Sequence, residues 1–136
     1  MNIYFAGSIT GGREDVLTYS QIIQYLKNYG NVLDPHVGNV NLTSNGENLP
    51  DFTVFDRNVN YIQNADVIIA EVSTPSLGVG YELCLGEILD KKVLCLNNKS
   101  KNQRLSRMIS GNPKFQIAYY SSVEEAFKSI DDFFSS

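Results

Sequence analysis

The sequence is poor in the residues that build metal and disulfide sites. Histidine occurs once, at His36, and the cysteines are Cys84 and Cys95 alone. There is no C-x-x-C pair, and one histidine cannot complete a zinc site with two separated cysteines. Both cysteines stand in apolar stretches, so we predict two free, buried thiols in a reducing compartment, and no metal.

Positive charge and long apolar runs are also scarce. The chain has 11 Lys and Arg against 15 Asp and Glu, a net charge of −4. No basic run is long enough to follow a nucleic-acid polymer, and no apolar run approaches the ~20 residues of a membrane span. Met1 leads directly into a predicted strand without a signal-peptide pattern. We therefore expect a cytoplasmic protein, with entry to the nucleus open in a eukaryote, that binds neither nucleic-acid polymers nor membranes.

The 136 residues, 43% of them hydrophobic, alternate between strand and helix patterns. The central strands are continuous apolar runs, which is typical of a parallel sheet covered by helices on both faces. We predict a single α/β domain with a five-stranded, doubly wound parallel sheet of the Rossmann or flavodoxin-like type. The predicted strands are 2–6, 31–35, 66–72, 91–97 and 115–120; the predicted helices are 16–26, 52–62, 81–89, 104–110 and a last one capped by Ser122; 37–50 is a long loop.

Two glycine-rich turns, "GSITGG" (7–12) and "STPSLGVG" (73–80), follow the first and third predicted strands. In parallel sheets of this type, ligands bind beyond the carboxyl ends of the strands, so both turns are expected to line one pocket. Neither turn has the spacing of a dinucleotide fingerprint or a P-loop. Two interpretations are open: the glycines only make tight turns, or they let the backbone approach a ligand.

Glu82 is the acidic residue that the second turn places beside this pocket. We predict that it lies in the first turn of a helix and stays ionised. Its carboxylate either compensates the helix N-terminus or acts as a nucleophile that attacks an anomeric carbon and forms a glycosyl ester. Ser76, Gly78 and Gly80 could hold an anion through hydroxyl and N–H groups. Composition alone does not choose between these roles.

The segments "YFAGSITGGRED" (4–15) and "ADVIIAEVSTPSLGVGYELCLG" (65–86) together resemble the nucleoside 2-deoxyribosyltransferase superfamily. The similarity is closest to its 2′-deoxynucleoside 5′-monophosphate N-hydrolases. It extends over nearly the whole chain, including "RLSRMISG" (104–111), and implies one domain of this type over residues 1–136. The resemblance implies cofactor-free hydrolysis of the N-glycosidic bond, which releases a free base and 2-deoxyribose 5-phosphate.

The resemblance also assigns roles to individual residues. Glu82 matches the nucleophile, and Tyr4, at the end of the first strand, matches a tyrosine near the sugar. Ser76 and Gly78 match the cradle of the 5′-phosphate. Ser106 matches a serine that reaches the phosphate from a neighbouring subunit, so a homodimer is implied. The other implied substrate-binding residues are Gly7, Ser8, Ile9, Thr10, Gly11, Gly12, Arg13, Gly80 and Met108, with Ile22 and His36 on the side of the base.

The sequence departs from the family pattern at two positions. The family usually has an aspartate seven residues before Ala65, where this chain has Asn58, and an amide cannot supply a proton. Either Asn58 bonds the base or sugar while water transfers the proton, or Asp56 substitutes for the missing acid, or catalysis is weakened, naturally or by an engineered substitution. Thr10 stands where close relatives carry arginine, which leaves the preference for base or phosphate open.

Two rival functions follow from the same residues. A deoxyribosyltransferase would pass the sugar from Glu82 to a second base instead of to water. A nucleotide-binding protein without catalysis would fit Asn58. The phosphate cradle that the resemblance assigns to Ser76 and Ser106 favours the hydrolase, because the transferases mostly use nucleosides without phosphate.

Overall fold

The computed structural model of the protein describes residues 1–9, 15–33, 38–39 and 46–136. These residues contain five strands, and each is built from an apolar run of the kind that a buried parallel strand requires. The strands are β1 (Asn2–Ala6), β2 (Asn31–Leu33), β3 (Val67–Glu71), β4 (Lys92–Asn98) and β5 (Phe115–Tyr120).

The helices alternate with the strands along the chain, as the apolar periodicity predicts. A short 3-10 helix, Lys99–Lys101, also follows β4. The α-helices of the described segments are α1 (Val16–Leu26), α2 (Asp51–Asn64), α3 (Leu77–Ile88), α4 (Arg107–Ser110) and α5 (Val123–Ser135).

All strand pairs are parallel, and the order across the sheet is β2-β1-β3-β4-β5. The predicted five-stranded, doubly wound parallel sheet is confirmed. The winding direction changes between β1 and β3, which places the expected ligand crevice beyond the ends of these two strands. Tyr4 lies in the middle of β1, opposite Ile68 of β3, and not at the end of the strand as expected.

Alternation along the strands divides the core into two clusters, one on each face of the sheet. Ile3 and Phe5 pack in the cluster that includes the buried residues of α1 and α5. Tyr4 and Ala6 point to the other face, where they join Ile62 of α2 and residues of α3. Tyr4 therefore comes from the face of the sheet that carries α3.

Helix α3 begins earlier than the glycine pattern predicts. It starts at Leu77, so Gly78 and Gly80 lie inside the helix, and the predicted turn over 73–80 is wrong in its second half. The hydroxyl of Ser76 accepts a hydrogen bond from the backbone N–H of Val79 at 3.3 Å. Such a cap stabilises a helix start by about 1 kcal/mol, which helps to offset the similar cost of a helical glycine. Glu82 consequently lies in the second turn of α3 instead of the first.

Several large apolar side chains are exposed to solvent. On α2, Phe52 is 73% and Phe55 51% exposed, while Ile62 is buried. Helix α2 therefore packs on the sheet through its C-terminal half, and its first two turns present aromatic rings to solvent. The prediction of two buried cysteines is wrong for Cys84, which is exposed, and correct for Cys95; both are free.

Candidate active site

The candidate site lies where the chain leaves β1 and β3. The segment after β1 is fixed to the core, because the backbone N–H of Ser8 donates to the Tyr19 hydroxyl at 3.1 Å. A Cβ atom on Gly7 would lie 3.0 Å from the Tyr19 ring, so the close packing of strand end and ring favours glycine there. After β3, the chain crosses the sheet edge and enters α3 at the Ser76 cap.

Tyr4 and Glu82 form the central pair of the site. The Tyr4 side chain is 4% exposed, and its hydroxyl donates a hydrogen bond to the Glu82 carboxylate. Burial raises the pKa of Glu82 to about 7, and the hydrogen bond from Tyr4 opposes that rise. Burial and the neighbouring Glu82 hold the pKa of Tyr4 far above its usual value, so Tyr4 remains a neutral donor.

The prediction that Glu82 stays ionised therefore needs correction. With a pKa of about 7, its carboxyl group is close to half protonated at neutral pH. The cause is desolvation, which disfavours the charged form of a carboxyl group. A group poised in this way can act as a carboxylate on the alkaline side of its pKa, and such shifts are typical of reactive carboxyl groups.

A cavity of about 380 Å³ opens beside Glu82. Glu82, Gly78 and Asn58 are the parts of its wall that belong to the predicted site. The remainder is apolar and comes from α2 and the first turns of α3: Phe55, Val59, Ile62, Leu77, Tyr81 and Leu85. A cavity with an ionisable group on an otherwise apolar wall suits a flat, partly polar ring such as a nucleobase.

Gly78 separates Glu82 from the Ser76 hydroxyl. A Cβ atom at this position would lie 3.8 Å from the Ser76 Oγ and 3.9 Å from the Glu82 Oε1. The space over Gly78 is therefore bordered by a hydroxyl at one end and a carboxylate at the other. One small bound molecule at this position could therefore contact both the hydroxyl and the carboxylate.

A larger groove, about 1010 Å³, runs from the start of α3 to the segment around α4. Ser76 and Ser106 both line it, and Arg104 and Arg107 bring positive charge to the same wall. Each serine caps its helix, since the Ser106 Oγ accepts from the backbone N–H of Met108 at 3.3 Å and Ser76 does the same for α3. A capping hydroxyl keeps its own proton free to donate to an anion.

Asn58 is held in place by the neighbouring arginine. The Nε and Nη2 atoms of Arg57 donate to the Asn58 Oδ1 at 3.2 and 3.1 Å. The same guanidinium donates to both carboxylate oxygens of Glu47, at 2.7 and 2.6 Å. Asp56 is exposed and does not line the cavity, so the structure gives no support to Asp56 as the substitute acid.

Several other predicted site residues in the described part of the chain are not gathered around Glu82. Ile22 is fully buried in the core cluster on the opposite face of the sheet, and Ile9 packs against that cluster. Met108 is 84% exposed and lines the larger groove. The Cβ direction of Gly80 meets nothing within 4 Å. Five predicted site residues lie outside the described residues: Thr10, Gly11, Gly12, Arg13 and His36.

Sequence patterns missed two polar contacts that hold the loop after β3. The buried carboxylate of Asp15 accepts from the Thr74 hydroxyl at 3.0 Å and pairs with Lys101 at 2.8 Å. The fully buried Glu71 accepts from the backbone N–H and the hydroxyl of Ser73, at 2.8 and 2.7 Å. The glutamate within the apolar strand β3 could have predicted the contact between Glu71 and Ser73. No local sequence pattern predicts the contact between Asp15 and Thr74.

The described part of the chain holds no group of three or more His, Cys, Asp or Glu residues arranged to bind a metal ion. Among the same residues, no helix combines the length and apolar character that crossing a bilayer requires.

The profile of the nucleoside 2-deoxyribosyltransferase family matches residues 3–128. The chain is also 44% identical over 138 residues to a 5-hydroxymethyl-dUMP N-hydrolase of Danio rerio, covering 98% of this chain and 96% of that protein. This chain belongs to the nucleoside 2-deoxyribosyltransferase family. The family resemblance inferred from the glycine-rich motifs is thereby confirmed.

Two solved structures show the same fold as this nucleoside 2-deoxyribosyltransferase family member. A CMP N-glycosidase of Clostridium botulinum superposes with a TM-score of 0.69 at 16% identity, covering 96% of this chain and 99% of that one. A 2-deoxyribosyltransferase of Bacillus psychrosaccharolyticus gives 0.68 at 21% identity, covering 93% and 90%.

Proposed function

We propose that this protein hydrolyses the N-glycosidic bond of 2′-deoxynucleoside 5′-monophosphates. The observation that carries the proposal is the position of Glu82, which receives a hydrogen bond from Tyr4 and borders a cavity beside the Ser76 cap. The relative of Danio rerio named 5-hydroxymethyl-dUMP N-hydrolase supports a substrate of this class. Products are the free base and 2-deoxyribose 5-phosphate.

In the proposed reaction, Glu82 is the nucleophile. Its carboxylate oxygen forms a bond to C1′ while the C1′–N bond breaks, and the electron pair of that bond leaves with the base. Water then attacks C1′ of the glycosyl ester, which breaks the ester bond and restores the Glu82 carboxylate. One hydrogen of the water stays on the new sugar hydroxyl, and the other ends as a proton on the departed base. A deoxyribose lacks the electron-withdrawing 2′-OH, so positive charge at C1′ develops easily, and one carboxylate stabilises and captures it.

The phosphate end of the proposed substrate faces the start of α3. The Ser76 hydroxyl and the first backbone N–H groups of the helix are donors of the kind that bind phosphate at helix N-termini. Arg104 and Arg107 add positive charge along the same groove. The space between this anion site and Glu82 lies over Gly78. A side chain at this position would occupy the space proposed for the sugar, so the proposed substrate needs a glycine there.

We further propose that the protein is a homodimer in which Ser106 contributes to the partner's phosphate site. Support comes from the exposed apolar side chains on α2 and α3, where Phe52 is 73%, Leu77 97% and Tyr81 61% exposed. Of these residues, Leu77 and Tyr81 line the Glu82 cavity. The competing arrangement, in which Ser106 serves the site of its own chain, is open because Ser76 and Ser106 border one groove.

The function is tested by incubating the protein with dGMP, dCMP and 5-hydroxymethyl-dUMP and measuring free base by chromatography. Hydrolase activity releases base without an acceptor and is abolished in Glu82→Gln, whereas the matched surface variant Glu124→Gln retains it. Release that requires an added acceptor base identifies a transferase. Tight nucleotide binding without release identifies a binding protein, and either of these two results contradicts the proposal.

The dimer is tested by mixing two inactive variants, Glu82→Gln and Ser106→Ala. If Ser106 acts across the interface, a mixed dimer contains one site with both native residues. Random exchange in an equal mixture then restores about a quarter of the wild-type sites. If Ser106 acts within its own chain, no site of the mixed dimer is complete and the mixture stays inactive.

A further inference from the structure

The contact between Arg57 and Asn58 fixes which end of the amide faces the cavity. A guanidinium carries five donors and no acceptor, so the amide atom that it touches must be the oxygen. Two separate N–H groups of Arg57 reach this Oδ1, at 3.2 and 3.1 Å. Arg57 is itself anchored by the paired hydrogen bonds to Glu47, which prevents it from following the amide if Asn58 rotates.

The amide nitrogen of Asn58 is left on the other side of the planar group. Asn58 lines the cavity with Glu82, whereas Arg57 does not. Among the residues that the structure describes, no acceptor bonds the Asn58 Nδ2. The amide can therefore offer two N–H donors to a molecule in the cavity.

We propose that Arg57 is a positioning residue that turns Asn58 into an obligate hydrogen-bond donor toward the leaving base, so that the base departs as an anion. This inference rests on the proposed function. When the C1′–N bond breaks, its electron pair enters the ring, and an N–H of Asn58 bonds the developing charge on an acceptor next to the glycosidic nitrogen, such as the O2 of a pyrimidine. The base anion takes its proton from a water molecule, and the hydroxide that this leaves attacks C1′ of the ester, which forms the sugar hydroxyl and releases the Glu82 carboxylate.

The electrostatics of the group suit this role. Hydrogen bonds in a chain polarise one another, so the Arg57 charge on Oδ1 makes the N–H groups of Asn58 stronger donors. The Glu47 hydrogen bonds hold the pKa of Arg57 above its usual value, which keeps the guanidinium charged. No proton crosses from Asn58, and its effect is stabilisation of negative charge alone.

The measurement is the dependence of kcat/KM on the acidity of the leaving base, using 5-fluoro-dUMP, dUMP and dTMP. With a donor and no general acid, the wild type should favour 5-fluoro-dUMP over dTMP by about tenfold or more. Asn58→Asp introduces a group that can give a proton, so the ratio should fall to about threefold or less. It should also add a loss of activity on the alkaline side of the pH profile. Equal rates for the three nucleotides in the wild type would overturn the inference.

Arg57 is tested separately with Arg57→Leu, Arg57→Lys and the exposed control Lys128→Leu. Arg57→Leu frees the amide to rotate and should lower kcat/KM on dTMP about tenfold, with a smaller loss on 5-fluoro-dUMP. Arg57→Lys keeps a hydrogen-bond donor and should recover part of the dTMP rate. This variant therefore still tests the inference when Arg57→Leu is poorly folded. Lys128→Leu removes a charge from an exposed side chain of α5 and should keep the wild-type leaving-group dependence. A purely structural Arg57 would lower all three rates by one factor.

The two proposals fail in different ways. If the wild type releases base but with no leaving-group dependence, hydrolysis stands and the role of Arg57 and Asn58 is refuted. If no nucleotide in either panel yields free base, the proposed function fails and this inference fails with it. A structure of Glu82→Gln with bound dUMP gives a third result: the Asn58 Oδ1 turned toward the base would refute the inference even if the rates agree.

Discussion

The hydroxyl of Tyr4, in the middle of β1, donates to the carboxylate of Glu82, in the second turn of α3. It is the contact that opposes the effect of burial on Glu82, whose pKa is about 7. The pKa of the proposed nucleophile on α3 therefore depends on a residue of β1 that is far away in the sequence.

Replacing Tyr4 with phenylalanine should weaken the nucleophile without unfolding the protein. The ring still fills the core, but the hydrogen bond that lowers the pKa of Glu82 is lost, so this pKa rises above about 7. Activity should drop on the order of tenfold near neutral pH and recover in part at higher pH, because more Glu82 is then ionised. The acid limb of the kcat/KM profile measures the shift. The exposed Tyr119 provides the matched control Tyr119→Phe, for which the profile should not move; a common shift in both variants would contradict the role of Tyr4.

Glu82 should also reduce the stability of the folded protein at neutral pH. Its ordinary pKa is 4.5 and its folded value about 7, so stability present below pH 4.5 is lost as the pH rises through the folded value. Glu82→Gln avoids the cost of ionising a buried group and should be more stable than the wild type above about pH 7, on the order of 1–3 kcal/mol, with no gain near pH 4. Urea unfolding at several pH values checks this, and a gain that is independent of pH would contradict the linkage.

Gly78→Ala should separate stability from activity. The added methyl group meets Ser76 and Glu82 at 3.8 and 3.9 Å, which is ordinary contact, so the helix tolerates it. Alanine in place of a helical glycine should raise stability by about 0.5–1 kcal/mol. The same methyl group fills the space proposed for the sugar and should reduce kcat/KM about a hundredfold.

Gly80→Ala is the matched comparison for that variant. The added Cβ meets nothing within 4 Å, so the gain in stability should be similar and the loss of activity much smaller. Thermal unfolding and base release are measured on both variants in parallel. Equal activity of the two would place the sugar elsewhere.

The stability of the buried hydrogen-bond network around Glu71 should depend on the hydroxyl of Tyr120. Glu71 accepts from the Tyr120 hydroxyl and from Ser73, and the Ser73 Oγ in turn accepts from the backbone N–H of Asn98 at 2.6 Å. Tyr120→Phe removes one donor from a fully buried carboxyl group and should cost about 1–3 kcal/mol of unfolding free energy. The lost bond is one that lowers the pKa of Glu71, so the cost should be larger at about pH 8 than at about pH 5. A cost that does not depend on pH would mean that only packing is lost.

The fold could be predicted from the sequence because its signals are local and agree with one another. The continuous apolar run of β3 and the capping serine of α5, whose Oγ accepts from the Glu125 N–H at 3.3 Å, specify their elements without distant information. The parallel sheet then brings the two glycine motifs to one edge. Prediction of Glu82 near Tyr4 depended on this topology together with the family resemblance.

The parts that could not be predicted depend on side-chain contacts and burial that the sequence pattern does not specify. The pKa of Glu82 follows from burial by the assembled helices, which no window of sequence contains. Arg57 orients the amide of Asn58. Hydrogen bonds to Glu47, which precedes α2, in turn hold the Arg57 guanidinium in place. The start of α3 was misplaced because two glycines suggest a turn, whereas the Ser76 cap and the packing of Val79 and Leu83 begin the helix before them.

Asn58, Ser76, Gly78 and Glu82 all belong to one uninterrupted α2–β3–α3 unit. The proposed leaving-group contact, the Ser76 part of the anion site and the nucleophile thus lie on one continuous segment, and recombination with a homologue outside this segment would preserve them as a set. Tyr4 alone among the central residues comes from another strand. A chimera whose exchanged β1 lacks this tyrosine would keep the reactive groups but raise the pKa of Glu82. The pH optimum could therefore change in evolution while the substrate stays the same.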